Sequence, residues 1–136
     1  MRVRAKVEPL LEKPVKVASG LSLTSYYTLQ QLNSARSPIT MTELAAGTAF
    51  SRERVSRVTD ELVEADLARR QRDPNGDGRN WLAAITDEGR QRFRLAADAY
   101  HKALQREIAD ALPLLKLREL AEGLAEILRQ ETSDTR

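Results

Sequence analysis

The sequence predicts a mainly α-helical fold with a small antiparallel sheet, that is, the α+β class. Apolar residues recur at helical spacing through most of the 136 residues, and Ser or Thr side chains precede several of these segments as helix caps. The helical pattern is interrupted mid-chain by two strand-like segments, 67–72 and 80–85, which flank a Pro-Asn-Gly-Asp-Gly turn. Aromatic residues make up only 4% of the chain, so the core must consist mainly of Leu, Val, Ile and Ala.

Composition excludes several classes of protein. Cysteine is absent, which removes disulfides, thiol nucleophiles and thiol-based redox sensing. The single histidine, His101, has no clustered His or Cys partners, so we expect no metal site and no cofactor. No apolar run is long enough to span a membrane, and the basic start lacks the apolar block of a signal peptide, so we expect a cytoplasmic protein. Neither a nucleophile–base motif nor a phosphate-binding glycine loop is present, and we expect no enzymatic activity.

The first part of the chain predicts one clear helix. Residues 1–20 have apolar positions at helical spacing, but two prolines interrupt them, so we expect a short or broken helix or an extended arm. Ser22 or Thr24 can cap a mostly buried helix over 24–35. After a turn, Ile39 is predicted to form a strand of one or two residues.

Two helices joined by a tight turn are predicted next. Thr40 or Thr42 caps the first, the turn lies at 47–49, and Ser51 caps the second helix over 52–65. At 100° per residue the second helix has two distinct faces. The apolar face carries Val55, Val58, Leu62 and Ala65. The opposite face carries Arg52, Glu53, Ser56, Arg57 and Asp60.

Long helices are predicted after the hairpin, in which Trp81 is expected to be a packed strand residue. Thr86 can cap a helix over 87–112, Pro113 is expected to break it, and a last helix covers 114–130. Their apolar stripes are too extensive for one small core, so they predict self-association. The predicted dimer contacts are Tyr100, Leu104, Ile108, Leu117, Leu120, Leu124 and Ile127.

The order of these elements is that of a winged helix-turn-helix, in which a hairpin follows the second helix of the motif. We expect an N-terminal arm or short helix at 1–20 and a winged helix-turn-helix domain at 21–90. Helices at 91–136 would complete the chain. The two terminal regions together are predicted to form a dimerisation layer.

The charged residues of the second helix and the hairpin indicate a surface for double-stranded DNA. Segment 51–79 holds seven arginines and seven acidic residues, so any affinity must come from placement rather than bulk charge. The candidate contacts on the helix are Ser51, Arg52, Arg54, Ser56 and Arg57. On the hairpin, Arg70 and Arg72 are expected to meet phosphates. Arg79 is expected to enter the minor groove, with Asp77 orienting its guanidinium.

Short motifs follow one another along the chain as Leu21-Ser22-Leu23-Thr24, Thr42-Glu43-Leu44-Ala45, the helix at 51–67, Arg70-x-Arg72-Asp73-Pro74, Asp77-Gly78-Arg79 and Ile85-Thr86-Asp87-Glu88-Gly89-Arg90. In this order they resemble the MarR family of bacterial transcription regulators over about residues 20–130. The resemblance implies a homodimer with recognition helices in the major groove and wing tips in the minor groove. It also implies a small, often aromatic, acid effector between the two layers. Tyr26 and Tyr27 are core candidates that could line that pocket.

One position departs from the family pattern. Asp66 stands where a glycine usually follows the recognition helix. Aspartate tolerates the left-handed backbone conformation better than most residues, so the helix end is expected to survive.

Residues and resemblance together predict a homodimeric, sequence-specific regulator, most simply a repressor of a palindromic operator that a small ligand releases. Two alternatives remain open. The balanced charge of 51–79 is compatible with a winged-helix module that binds a protein partner. A non-specific architectural DNA-binding protein would present a similar surface.

Overall fold

The computed structural model describes residues 2–76 and 80–134, with side chains for 8–76 and 80–132. In these residues the elements are α1 (Arg2–Ser19), α2 (Leu23–Ser34), β1 (Ile39–Thr40), α3 (Met41–Thr48), α4 (Arg52–Glu64), β2 (Ala68–Arg72), β3 (Trp81–Ile85) and α5 (Asp87–Asp134). The chain divides into two compact units, Met1–His101 and Lys102–Arg136. The predicted mainly α-helical class with a small sheet is confirmed, as is the winged helix-turn-helix order of elements.

The three strands form one antiparallel sheet in the order β1-β3-β2. Ile39 pairs with Ala83, and Ala68 pairs with Ile85, so the predicted short strand and the predicted hairpin both exist. Ala68, Ala83 and Ile85 are buried, because side chains alternate across the sheet and one face of the hairpin covers the core. This core face of the hairpin continues outward to Arg72 and Trp81, which are also paired.

Helix α4 begins where its cap predicts, because Ser51 Oγ accepts a hydrogen bond from the Arg54 backbone N–H at 3.2 Å. The predicted inner residues Val55, Val58 and Leu62 are buried. Ala65 was expected on the same face but is exposed, since the helix has already ended at Glu64. A polar side chain replaces it: Thr59 is buried, and its hydroxyl donates to the Val55 carbonyl at 2.7 Å. The buried hydroxyl is satisfied inside its own helix.

The end of α4 is a Schellman motif centred on Asp66. Asp66 has a φ of 61°, and its N–H donates to the Val63 carbonyl at 3.0 Å. The Leu67 N–H donates to the Leu62 carbonyl at 2.9 Å. These two bonds satisfy carbonyls that the last turn of a helix leaves without partners. The expectation that aspartate can hold the left-handed position is confirmed.

The start of α5 is hydrogen-bonded to the segment that follows α4. The Leu67 carbonyl accepts a hydrogen bond from the Thr86 N–H at 3.2 Å, and the Thr86 hydroxyl donates to the Asp66 carbonyl at 2.6 Å. The same hydroxyl caps α5 by accepting from the Gly89 N–H at 3.0 Å. Gly89 is buried here with the Leu67 carbonyl directly against its Cα, which leaves no room for a Cβ. The end of α4, both ends of the hairpin and the start of α5 therefore share one junction.

Residues 2–19 form one helix, and the expectation of a short or broken helix or an arm was wrong. Pro9 and Pro14 both lie inside α1, although each removes one backbone donor from the helix. Packing on α2 compensates, because Leu11 and Val15 are almost fully buried at 2% and 0% exposure. Pro9 is on the exposed side, where a freed carbonyl can meet water.

The tight turn of the helix-turn-helix lies later than predicted. Gly47 is inside α3, and the left-handed residue is Ala49, with a φ of 62°. Thr40 caps α3 in a reciprocal capping box with Glu43, as the sequence indicates. Thr48 ends the helix, because its hydroxyl accepts from the Phe50 N–H at 3.3 Å.

Pro113 does not break the chain into two helices. Helix α5 runs through it from Asp87 to Asp134, and the predicted helices at 87–112 and 114–130 are one element. A proline costs a helix one hydrogen bond and some local strain, which a long helix can tolerate when it continues on both sides. Among the described residues, no helical stretch has the length and hydropathy needed to cross a bilayer.

An aromatic cluster joins α2 to the first part of α5. The Tyr26 ring stacks on Phe93 at 5.5 Å and lies 4.9 Å from the ring of Tyr100. Burial raises the pKa of the Tyr26 hydroxyl, and the neighbouring Tyr100 adds to the shift. Tyr26 is therefore a core residue, as expected.

Substituting Gly89 tests the junction. A Cβ at this position would overlap the Leu67 carbonyl and approach the Ile85 side chain at 2.8 Å, so the backbone itself must move. We expect Gly89→Ala to lower the free energy of unfolding, measured by urea denaturation, by about 2 kcal/mol or more. The control is Glu88→Ala, in the same helical turn but exposed, which should change stability little. Equal stability of the two variants would contradict this account.

Candidate nucleic-acid interface

One side of α4 is polar and faces solvent. Arg52, Arg57 and Asp60 are exposed and Ser56 is half-buried, opposite the buried valines. With Glu53 and Met41, these side chains line a shallow concavity of about 550 Å³. Two guanidinium groups and a hydroxyl on one exposed helix face can donate hydrogen bonds to phosphates and base edges.

The first turn of α4 adds a second attraction for anions. The N–H groups at the start of a helix point outward and carry partial positive charge. Ser51 is exposed there, and its Oγ already accepts from the Arg54 N–H. Its hydroxyl proton remains available as a donor, so cap and anion contact are compatible roles.

Arg54 points away from the polar face of α4. Its Nη2 donates to the Thr24 hydroxyl at 2.8 Å, and its guanidinium lies 4.3 Å from the centroid of the Phe50 ring. The side chain therefore fastens the first turn of α4 to α2. These contacts favour a positioning role over the DNA contact expected from the sequence, which stays a prediction.

Arg70 links the hairpin to α4. Its Nη2 donates to the Ser56 carbonyl at 3.0 Å and to the Ser56 hydroxyl oxygen at 3.2 Å. The same group forms an ion pair with Asp60 at 3.0 Å, and the side chain of Arg70 is only 22% exposed. Its Nε is buried and has no partner among the described residues. Arg70 is thus occupied inside the protein, whereas the sequence suggested a phosphate contact.

The sequence contained a signal for this inward orientation. Arg70 lies two residues after the buried Ala68 and pairs with the buried Ala83, so alternation places it on the core face of the hairpin. The role of Asp60 as its partner was not predicted. Only the packing of α4 on the sheet brings these two residues together.

Beyond Arg70, the core face of the hairpin reaches solvent. Arg72 is exposed, and its guanidinium lies 5.0 Å from the centroid of the Trp81 ring. Trp81 itself is 40% exposed, so the expectation of a packed strand residue was wrong. Asp77 and Arg79, the predicted minor-groove pair, lie outside the described residues.

A cavity of about 450 Å³ lies between α1, α2 and the start of α4. It is lined by Glu8, Glu12, Leu23, Thr24, Tyr27, Ala49, Phe50 and Arg54. Of the two tyrosines proposed for an effector pocket, Tyr27 lines this space, whereas Tyr26 is only 1% exposed and lies in the aromatic cluster. The cavity has one cation and two acids, so a ligand would meet charge of both signs.

The predicted dimer residues fall into two groups. Tyr100 packs in the aromatic cluster, with its hydroxyl 3.4 Å from that of Tyr27, and Leu104 is half-buried. The others expose between 51% and 64% of their surface. They are Ile108, Leu117, Leu120, Leu124 and Ile127. Within the parts of the chain that are described, no group of three or more His, Cys, Asp or Glu side chains could hold a metal ion.

Replacing Arg70 tests the link between the hairpin and α4. Arg70→Met keeps the aliphatic stem but removes the bonds to Ser56 and Asp60. Stability should fall by about 1 kcal/mol, the usual contribution of such hydrogen bonds. Amide hydrogen exchange in β2 and β3 should become faster. Arg69→Met, next along the strand but on its opposite face, serves as the control. Identical exchange in both variants would refute the link.

Known proteins share this arrangement. The model of the MarR family matches residues 19–79 of the chain. Sco3205 from Streptomyces coelicolor, a MarR family transcriptional regulator solved in complex with DNA, is 26% identical with a TM-score of 0.75. The similarity covers 93% of this chain and 79% of Sco3205. No curated protein sequence is significantly similar to the chain.

Two further structures agree. A MarR family transcriptional regulator from Rhodococcus sp. RHA1 is 27% identical with a TM-score of 0.73, over 93% of this chain and 86% of that one. CouR from Rhodococcus jostii RHA1, solved with p-coumaroyl-CoA bound, is 25% identical with a TM-score of 0.70, over the same shares. The family model thus matches the helix-turn-helix and the first part of the hairpin, and the similar structures share the fold, so the family that this chain resembles in both sequence and structure is the MarR family of transcriptional regulators.

Proposed function

We propose that this chain is a sequence-specific regulator that binds double-stranded DNA as a homodimer and represses transcription from a palindromic operator. The observation that carries the proposal is the exposed face of α4, with Arg52, Ser56 and Arg57 beside a hairpin that Arg70 ties to the same helix. The DNA complex of Sco3205, at 26% identity, supports it.

The geometry suggests a division of work among the arginines. Arg52 and Arg57 extend from the exposed face of α4 and would enter the major groove, where guanidinium groups pair with guanine or phosphate. Arg54 and Arg70 would act indirectly, by holding α4 against α2 and the hairpin. In this proposal Arg79 and Asp77 remain the contacts to the adjacent minor groove, as the sequence predicts.

The homodimer rests on unburied apolar surface. In the unit formed by Lys102–Arg136, leucines and two isoleucines at helical spacing are more than half exposed. A contiguous apolar stripe of this kind marks an interface. A two-fold dimer presents two copies of α4, so the operator would be a palindrome with half-sites about one helical turn apart.

A small-molecule effector is the second part of the proposal. CouR is bound to p-coumaroyl-CoA, and this chain has a cavity between α1, α2 and α4. Arg54 and the Tyr27 hydroxyl would bind the carboxylate of a small aromatic acid, whereas Glu8 and Glu12 oppose an anion and would restrict where it lies. Because Arg54 also fastens α4, a ligand that engaged it would alter the recognition helix.

Selection of bound duplexes from a random pool separates this function from the alternatives. A palindromic consensus supports an operator-reading homodimer. Recovery of duplexes with no consensus, all displaced equally by random competitor, would indicate an architectural DNA-binding protein. Recovery of no duplex at low salt would leave the protein-interaction module as the explanation.

Charge reversal on α4 tests the proposed recognition surface. Arg52→Glu combined with Arg57→Glu should weaken binding to a selected duplex by roughly a hundredfold or more, measured by fluorescence anisotropy, because phosphate and base contacts are lost together. The matched control is Arg36→Glu with Arg69→Glu, two arginines that line a separate cleft with Pro38 and Ala84. Equal loss in both pairs would mean that only net charge matters and would contradict a specific surface.

The dimer prediction concerns the exposed stripe. Leu120→Glu with Leu124→Glu should convert the protein to monomers in sedimentation velocity, because glutamates cannot be buried between two helices without a large desolvation cost. Arg118→Glu with Arg129→Glu makes a larger change of charge on the opposite side of the same helix and should leave the dimer intact. A dimer in both variants would place the interface elsewhere.

A further inference from the structure

Trp81 is the only tryptophan of the sequence, and its position in the fold is unusual. It is the first residue of β3 and lies on the same face as Ala83 and Ile85, which are 0% and 5% exposed. Trp81 is 40% exposed at the end of this row. The core that covers its two neighbours therefore stops short of the largest apolar side chain in the strand.

Arg72 shares this uncovered end. It pairs with Trp81 across the hairpin, and its guanidinium lies 5.0 Å from the indole centroid, within the range of a cation–π interaction. The contact holds a planar cation against a planar apolar ring. Together the two side chains make an exposed surface at the outer end of the paired strands that combines an aromatic ring with a positive charge, the Trp81–Arg72 platform.

The platform lies on the same side of the hairpin as the recognition helix. Arg70 precedes Arg72 by two residues and so shares its face, and Arg70 contacts Ser56 and Asp60 of α4 directly. Ser56 also belongs to the concavity that holds Arg52 and Arg57. On this face of the hairpin, the buried Ala83 pairs with Arg70, which contacts α4. The next pair outward is Trp81 and Arg72, which are exposed.

We propose that the Trp81–Arg72 platform packs against the sugar–phosphate backbone of bound duplex DNA, between the groove entered by α4 and the groove reached by the wing tip. The inference rests on the proposed function and adds a contact to it. The indole ring would cover the apolar face of a deoxyribose, its Nε1–H would donate to a phosphate oxygen, and Arg72 would pair with the same or the next phosphate.

Charge favours DNA over a protein partner as the occupant. Arg70, on the same face of the hairpin, is paired with Asp60 at 3.0 Å, so this acid already has a cationic partner. A ring beside a guanidinium matches a ligand that alternates apolar sugars with anions. A duplex would contact the platform and the exposed face of α4 together. A protein partner that fitted the platform would not need to contact α4.

The single tryptophan allows a direct test without labels. With the wild-type protein and a duplex recovered from the random pool, acrylamide quenching of the indole fluorescence should decrease in the complex, because the backbone would cover the exposed part of Trp81. Quenching that is equally strong in the free and the saturated protein would overturn the proposal.

Affinity provides the second readout. Trp81→Ala should weaken binding to the same duplex roughly tenfold, because it removes the aromatic contact and the cation–π contact that positions Arg72, whereas Trp81→Phe keeps an aromatic ring and should retain most of the affinity. Gln71→Ala is the control, because it removes an exposed side chain from the opposite face of the hairpin. Thermal unfolding of each variant verifies that the fold is intact.

The outcomes separate the two proposals. Wild-type affinity in Trp81→Ala, or equal losses in Trp81→Ala and Gln71→Ala, would overturn the platform while leaving the regulator function in place. If the wild-type protein recovered no duplex from the random pool, the regulator function would be overturned, and the platform with it. Protection from quenching together with a selective loss in Trp81→Ala would support both.

Discussion

The hydrogen bonds around the Leu67 carbonyl hold together the parts of the molecule that the proposed function uses. At this point α4 has just ended in its left-handed turn, β2 begins, and Thr86 and Gly89 bring in the start of α5. A backbone contact with no intervening side chain leaves little freedom in the angle at which the hairpin leaves the helix. The direction of the wing is therefore set at its root.

Arg70 provides a second contact that holds the hairpin against α4, farther from the junction. Arg70 lies three residues beyond Leu67, and its side chain bonds to Ser56 and Asp60 of α4. On the other side of α4, the bond from Arg54 to Thr24 fastens the first turn of the helix to α2. Arginines thus hold the recognition helix at its first turn and at its middle, so its exposed face can be presented in one orientation. Preorganised donors cost less entropy on binding.

This arrangement explains how a segment without net charge can suit an anionic partner. The arginines divide into those with protein partners, such as Arg54 and Arg70, and those on exposed surface, such as Arg52 and Arg57. Acidic residues of the same segment can hold arginines of the first group in place, as Asp60 holds Arg70 through an ion pair. Placement, rather than excess charge, would then carry both affinity and specificity, because a balanced surface gives little non-specific attraction.

Local chemistry was sufficient to predict most element boundaries. The caps Ser22, Thr40 and Ser51, the left-handed Asp66 and the hairpin turn depend on hydrogen bonds between residues close in the chain, which short motifs encode directly. The buried face of α4 followed from helical spacing for the same reason. Which exposed arginines belong to that helix could also be read from the sequence.

Long-range packing decided the remainder. Burial of Leu11 and Val15 keeps α1 helical through two prolines, and α5 continues past a third, against local preference. Strand alternation places Arg70 on the core face of the hairpin, but only the packing of α4 supplies Ser56 and Asp60 as its partners, and Trp81 is exposed because the core ends before it. These outcomes depend on which distant surfaces meet and how far they extend, and no local pattern of residues contains that information.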